Sequence, residues 1–325
     1  MGNSSLVTDH SSPVIAFLFP GQGSQYPGMG RELFETVPRA RAVFEETDAA
    51  LGFALSKLCF EGPQAELQLT ANTQPAILTV SVAVAEALRE SGVRPHFAAG
   101  HSLGEYSALV IAGAVALADA VRLVRRRGEY MQEAVPSGEG AMAALLGGSL
   151  EAVENLCRDA ARGEVCSPAN LNSPGQIVIA GHTRAVQRAV ESAAAYGVRR
   201  AVMLNVSAPF HCSLMRPAAE RLGLDLDGVP ISTPEIPVVR NLDASFYGTA
   251  EGVRDGLKRQ VTSPVRWEES MRKLLAAGAH LMIEAGPGKV LSGLMRQIER
   301  STECLNADNP ASVAEVAERA RRGGR

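Results

Sequence analysis

The sequence predicts an α/β chain whose main body is interrupted by a smaller α+β unit, and three observations predict it. Apolar runs at 14–19 and 96–99 each end in a glycine-rich loop ahead of a helical pattern, as strands do when they feed helices. Residues 139–205 follow a different order, β-α-β-β-α-β, which is a ferredoxin-like unit inserted into the body. Strands and helices then alternate again from 206 to 305.

Taken in order, Val14 to Phe19 is short and apolar and stops at Pro20-Gly21, so it reads as a buried strand. Helical patterns cover Arg31 to about Gly92, broken near Gly52 and at Gly62-Pro63. A second strand, His96 to Ala99, runs into Gly-His-Ser-Leu-Gly-Glu at 100–105, and an alanine-rich helical stretch continues to about Val135. Inside the insert, Ala141 to Leu146 reads as a strand and Leu150 to Ala161 as a helix capped by Ser149. Strands follow at 164–167 and 176–180, then a helix at 184–196 with Thr183 as its N-cap and Gly197 as its stop, then a strand at 200–206. The returning body carries a strand at 236–240, helices at 249–260 and 267–277, and a strand at 280–284. The expected divisions are a disordered tail at 1–13, a body at 14–138 and 206–305, the insert at 139–205, and a frayed tail at 306–325.

Bulk properties exclude several classes. A net charge of −3 gives no global attraction to nucleic acid or anionic membrane, so an acidic partner has to meet a local basic patch. The five cysteines (Cys59, Cys157, Cys166, Cys212, Cys304) are odd in number and lack CxxC spacing. That argues against a disulfide framework or a zinc site and suits a reducing cytoplasm. The longest clean apolar run, Ala108 to Ala118, is too short to span a bilayer. The N-terminal MGNSSLVTDHSS lacks the parts of a signal peptide, and Leu6 stands where a myristoylation signal needs Ser or Thr.

Gly100-His101-Ser102-Leu103-Gly104 fits G-x-S-x-G. Its glycines permit a sharp strand-to-helix turn that lifts a serine hydroxyl to the positive end of the next helix. A tight turn in which only the glycines matter reads the same way. A serine nucleophile needs a base, and there are six histidines. His10 lies in the tail; His96, His182 and His280 lie at element edges; His101 adjoins the serine and points away from it. His211 remains, in Ser207-Ala208-Pro209-Phe210-His211-Cys212, either as the base or as an ordinary loop histidine.

Six motifs occur in one order: Phe19-Pro20-Gly21-Gln22-Gly23-Ser24-Gln25, the 100–105 elbow, Arg127-Gly128-Glu129-Tyr130-Met131-Gln132, Asn172-Ser173-Pro174-Gly175-Gln176, Pro209-Phe210-His211 and Glu284-Ala285-Gly286-Pro287-Gly288. The series resembles the malonyl-CoA:acyl carrier protein transacylase family, which includes acyltransferases of polyketide synthesis, over about 14–300. The resemblance implies an α/β-hydrolase-like body with a short parallel sheet plus the ferredoxin-like insert. It implies transfer of malonyl from malonyl-CoA to the phosphopantetheine thiol of an acyl carrier protein, by a ping-pong route, for fatty-acid or polyketide synthesis.

On that resemblance Ser102 is the nucleophile and His211 the general base, with a carbonyl at Gln260 accepting the histidine's second N–H. The backbone N–H groups of Gln22 and Leu103 form the oxyanion hole. Arg127 forks onto the malonyl carboxylate, which lysine cannot do. Phe210 narrows the pocket against an α-branch, and Asn172 and Gln176 contact pantetheine or stabilise the pocket wall. Arg199, Arg200, Lys289 and Arg296 are candidates for docking an acidic carrier, the competing reading being scattered solubility charges. No cofactor, metal, nucleic acid or membrane is implied, and the family habit is monomeric. A carrier-editing hydrolase and a degenerate, non-catalytic carrier-binding module are the rival readings. The first is opposed by Arg127 and the second by the presence of Ser102, His211 and the elbow glycines.

Overall fold

A computed structural model describes residues 13–206 and 208–322. Residues 1–12 lie outside it, and with them His10 and nearly all of the tail assigned to 1–13; so do Ser207 and residues 323–325.

The body is built on a five-stranded parallel sheet in the order β7-β2-β1-β8-β9, from β1 Ile15–Phe19, β2 Phe97–Gly100, β7 Val238–Val239, β8 Leu281–Ala285 and β9 Glu303–Ala307. β1 is apolar throughout because both faces of a parallel sheet are covered. Its side chains alternate between two cores. Ile15, Phe17 and Phe19 pack under helices α5 (Thr70–Glu90), α6 (Gly104–Ile111) and α7 (Leu117–Glu133). Ala16 and Leu18 pack with Trp267, Met271 and Met295 of α12 (Trp267–Ala276) and α13 (Val290–Ile298). Helices α1 (Arg31–Thr36), α2 (Pro38–Leu51), α3 (Leu55–Glu61) and α4 (Gln64–Gln68) precede α5. The register sets Phe19 opposite Gly100, so the loops leaving β1 and β2 stand side by side.

The insert is a four-stranded antiparallel sheet, β4-β5-β3-β6, from β3 Gly140–Gly147, β4 Cys166–Ser173, β5 Gln176–His182 and β6 Val198–Met203. Helices α8 (Leu150–Ala161) and α9 (Thr183–Ser192) cover one face through Val153, Leu156, Val186 and Ala189. The other face, with Met142, Ala169 and Val178, packs against Cys212 and Phe210 of the body. β4 also reaches the body directly, where Leu171 N–H donates to Val265 O and Val265 N–H to Ala169 O.

The structure corrects several expectations. The frayed tail expected at 306–325 is not one over its described residues, 306–322: β9 is the fifth strand, and α14 (Pro310–Arg322) buries Val313, Val316 and Ala317. The Asn309 side chain accepts the Ser312 N–H at 3.0 Å, an N-cap ahead of a proline at the first helical position. β4 runs further than 164–167 because bulges near Pro168 and Leu171 absorb residues that read as breakers. Thr183 begins α9 and does not cap it; its hydroxyl donates to Gly138 O instead. The helix ends at Ser192 in a 3-10 turn, Ala193–Tyr196, before a left-handed Gly197. The strand expected at 236–240 shrinks to Val238–Val239. Ser149 caps α8 as expected, accepting the Ala152 N–H.

Candidate active site

The nucleophile elbow is a steric construction. A methyl group on Gly100 would lie 1.9 Å from Gly104's carbonyl group, and one on Gly104 would lie 2.0 Å from the Phe19 carbonyl oxygen. Only glycine lets β1, the turn and α6 approach this closely. Between them Ser102 has φ +51°, a left-handed conformation that costs energy and exposes its side chain. Asn241, from the loop after β7, clamps the turn: its Oδ1 accepts the Ser102 N–H at 2.7 Å and its Nδ2 donates to Gly100 O at 2.7 Å.

His211 also has a positive φ, +60°, and its ring is brought to the serine from the loop between the insert and α10 (Arg216–Asp227). Its Nε2 lies 2.7 Å from Ser102 Oγ. Its Nδ1 faces the backbone carbonyls of Gln260 at 3.0 Å and Ser263 at 3.2 Å. Carbonyls only accept, so Nδ1 carries the proton and Nε2 is free to take one from the serine. Burial and the nearby Arg127 charge push the imidazole down to about 3, so it is neutral and proton-accepting at pH 7. Gln260, the last residue of α11 (Ala250–Gln260), therefore orients the base through its main chain.

Arg127 sits on the apolar stripe of α7 with Ala120, Val124 and Met131, whereas Arg125 and Arg126 turn outward to Glu129 and Asp225. Its guanidinium is 2% exposed. It donates to Gln74 Oε1 at 2.6 Å, Gln260 Oε1 at 3.0 Å and Ser102 Oγ at 3.0 Å. Its Nε is buried and meets no acceptor among the described residues. Gln74 on α5 and Asn241 carry no motif, and sequence reasoning missed both. Gln260's side-chain amide donates to Ser102 O at 2.9 Å and to the buried Glu105 at 2.6 Å.

The cavity over Ser102 measures about 150 Å³, which suits a short acyl chain. Gln22, Leu103, Arg127, Phe210 and His211 line it. Among the described residues no protein acceptor meets the backbone N–H of Gln22 or of Leu103; the Gln22 side chain donates to Thr70 Oγ1. Asn172 stands behind the wall, its Oδ1 2.9 Å from His101 Nε2, and Asn170 takes the lining position. Gln176 pairs with Leu146 and Ser173 at the far hairpin and does not reach the cavity. His101 packs on the Trp267 ring, while His96 Nδ1 and His182 Nδ1 accept the backbone N–H groups of Ile15 and Val165.

Arg199 and Arg200 are exposed on β6, the insert's edge strand. Lys289 and Arg296 line a second cleft of about 420 Å³ between α13 and α14. Among the described residues no group of three or more His, Cys, Asp or Glu side chains could hold a metal ion. None of their helices is long and apolar enough to cross a membrane.

A serine at the tip of a strand-turn-helix, paired with a neutral imidazole and facing two unclaimed N–H groups, defines a serine acyl-transfer enzyme. Comparison with known proteins narrows that class. Residues 16–325 match the acyl transferase domain family, and the chain belongs to it. It is 51% identical over 300 residues to the malonyl CoA-acyl carrier protein transacylase of Bacillus subtilis (strain 168), covering 92% of this chain and 95% of that one. To the Escherichia coli (strain K12) protein of the same name it is 46% identical over 305 residues, covering 94% and 99%. The solved structure of the Coxiella burnetii transacylase superimposes with a TM-score of 0.93 at 42% identity, covering 96% of this chain and 99% of that one. A malonyl-transacylase in complex with its type II PKS acyl-carrier protein gives 0.91 at 43% identity, covering 94% and 99%.

Proposed function

We propose that the protein transfers malonyl from malonyl-CoA to the phosphopantetheine thiol of an acyl carrier protein, for fatty-acid or polyketide synthesis, through an ester on Ser102. The observation that carries this reading is the buried Arg127 guanidinium 3.0 Å from Ser102 Oγ. Malonyl differs from acetyl by a free carboxylate, and an unpaired buried anion costs several kcal/mol. A guanidinium beside the nucleophile turns that cost into selection.

In the first half-reaction His211 Nε2 takes the Ser102 proton as Oγ attacks the thioester carbonyl. The oxyanion accepts the N–H groups of Gln22 and Leu103; losing one such donor costs about 3 kcal/mol in the transition state. The C–S bond breaks, and the imidazolium returns the proton to the departing CoA thiolate. The carrier's thiol then gives its proton to His211 as its sulfur attacks the ester. Ser102 leaves with that proton. The Gln260 and Ser263 carbonyls are neutral acceptors, weaker partners for an imidazolium than a carboxylate, and a thiolate leaves readily enough for that to suffice. A thioester brings its own activation, so the reading needs no cofactor or metal.

Phe210 on the wall supports a preference for malonyl over methylmalonyl, and one methyl group is worth only about 1–3 kcal/mol. In this reading Arg199, Arg200, Lys289 and Arg296 steer an acidic carrier, and the enzyme works as a cytoplasmic monomer. The test is incubation with a mixture of malonyl-, methylmalonyl- and acetyl-CoA, followed by intact mass. Wild type is expected to carry a malonyl adduct and Ser102→Ala none. An adduct retained in Ser102→Ala removes the nucleophile, and an adduct of another acyl group removes the substrate.

A further inference from the structure

Glu105, the second residue of α6, is 1% exposed and does not line the cavity. Three donors from outside its helix meet its carboxyl group. The Asn241 N–H at 3.2 Å and Gln260 Nε2 at 2.6 Å bond to Oε2, and the Tyr247 hydroxyl bonds to Oε1. Arg127 only donates and takes the Gln260 amide oxygen, so the Gln260 NH2 faces Glu105, whose Oε2 accepts from it. The amide oxygen faces Arg127, while the same residue's main-chain carbonyl holds His211. One glutamine thus joins Glu105 to both the guanidinium and the base.

We infer that Glu105 is a positioning residue and the internal counter-charge of Arg127: it fixes the Gln260 amide toward the guanidinium and takes up a proton when an anionic acyl group settles on Arg127. The inference rests on the malonyl reading above and adds to it.

The charge inventory around the carboxyl group supports this. Tyr106 faces it from its own helix, Arg127 from α7, and Tyr247 from the loop ahead of α11, with His211 on the far side of Arg127. Arg240 lies behind Tyr247, 5.7 Å from its ring centre, and is paired with Asp243. His211 is neutral and burial keeps both tyrosines protonated. The site therefore sets one buried cation, Arg127, near one buried carboxyl group. A malonyl carboxylate brings a second anion to the same guanidinium, and two carboxylates sharing one buried cation resist being ionised together. Glu105 is the group able to yield. Burial pushes it up to about 7, against the lowering effect of its three donors and of Arg127. An anion on Arg127 offsets that cation and raises Glu105 further. The sign follows from linkage. At pH 6 Glu105 is already mostly protonated and binding takes up little; at pH 8 it is mostly ionised, and binding takes up a fraction of a proton that grows with the rise.

Calorimetry on Ser102→Ala, which binds without turnover, tests this with malonyl-CoA and acetyl-CoA in buffers of different ionisation enthalpy. Groups common to the two thioesters cancel. Malonyl-CoA is expected to take up measurably more protons than acetyl-CoA at pH 8 and little more at pH 6; equal uptake at pH 8 overturns the proposal. In the otherwise intact enzyme, the ratio of kcat/KM for malonyl-CoA to that for acetyl-CoA should fall several-fold from pH 7 to 8 and stay flat in Glu105→Gln. A flat wild-type ratio, or an unchanged slope in the variant, also overturns it. A variant that fails to fold leaves the calorimetric result decisive. If wild type forms the malonyl ester but shows no proton difference, the role of Glu105 falls and the transferase reading stands.

Discussion

At Ser102 Oγ two groups of opposite purpose meet. His211 Nε2 lies 2.7 Å from it, placed to take its proton, and Arg127 Nη2 donates to the same oxygen at 3.0 Å. The second contact favours a negative oxygen, yet the same cation depresses the basicity of His211. Arg127→Ala therefore separates the two effects. Malonyl transfer is expected to fall by about a hundredfold or more, since charge-assisted bonds to a carboxylate are lost. Acetyl transfer should persist or rise, because the imidazole regains basicity. Acyl-enzyme mass after each thioester checks this, and equal loss of both refutes carboxylate recognition by Arg127.

Among the secondary elements, the close contact of β1, β2 and α6 does most to build the site. Their register puts the Gln22 loop beside the elbow, and Gly104 is where α6 touches the end of β1. A methyl group there meets a backbone carbonyl that cannot rotate away, so Gly104→Ala is expected to cost about 1–3 kcal/mol of stability by overpacking. It should also lower acylation by moving Ser102 off the line to His211. Denaturant midpoint and single-turnover acylation measure the two effects, and an unchanged midpoint counts against the steric account. At this scale the sequence was mostly legible. Apolar runs, cap residues and stop glycines are local signals, and they placed β1, α8 and α11 within a residue. α14 is less legible: Val313, Val316, Ala317 and Ala320 form a helical stripe, but it is short and flanked by the charged end Arg319, Arg321 and Arg322.

The whole molecule is two packed bodies with the reactive loop held between them. The insert's open sheet face presses on Phe210 and Cys212, to either side of His211, so the base is only as well placed as that interface. The charged edges work at longer range. Arg199 and Arg200 lie on the insert and Lys289 and Arg296 on the body. Exposed charges act chiefly on encounter rate and are screened by salt. Arg199→Glu should slow carrier association several-fold at low salt and little at high salt, as read by stopped-flow mixing of the acyl-enzyme with holo-carrier. An unchanged low-salt rate removes Arg199 from the interface.

By itself the sequence determined the groups that local sterics and periodicity define. G-x-S-x-G demands its glycines within five residues, whereas the inward turn of Arg127 was implied by the family resemblance and is seen in its place beside Val124 and Met131. Tertiary structure alone decided which polar groups meet. Asn241 reaches Ser102, Tyr247 reaches Glu105 and Gln74 reaches Arg127 across separations of 139, 142 and 53 residues. It also decided that Gln260 uses its main chain on the base and its side chain on the guanidinium. A short window of sequence encodes backbone preference and burial. Partners for buried polar atoms are settled only when distant elements pack and each donor must find an acceptor.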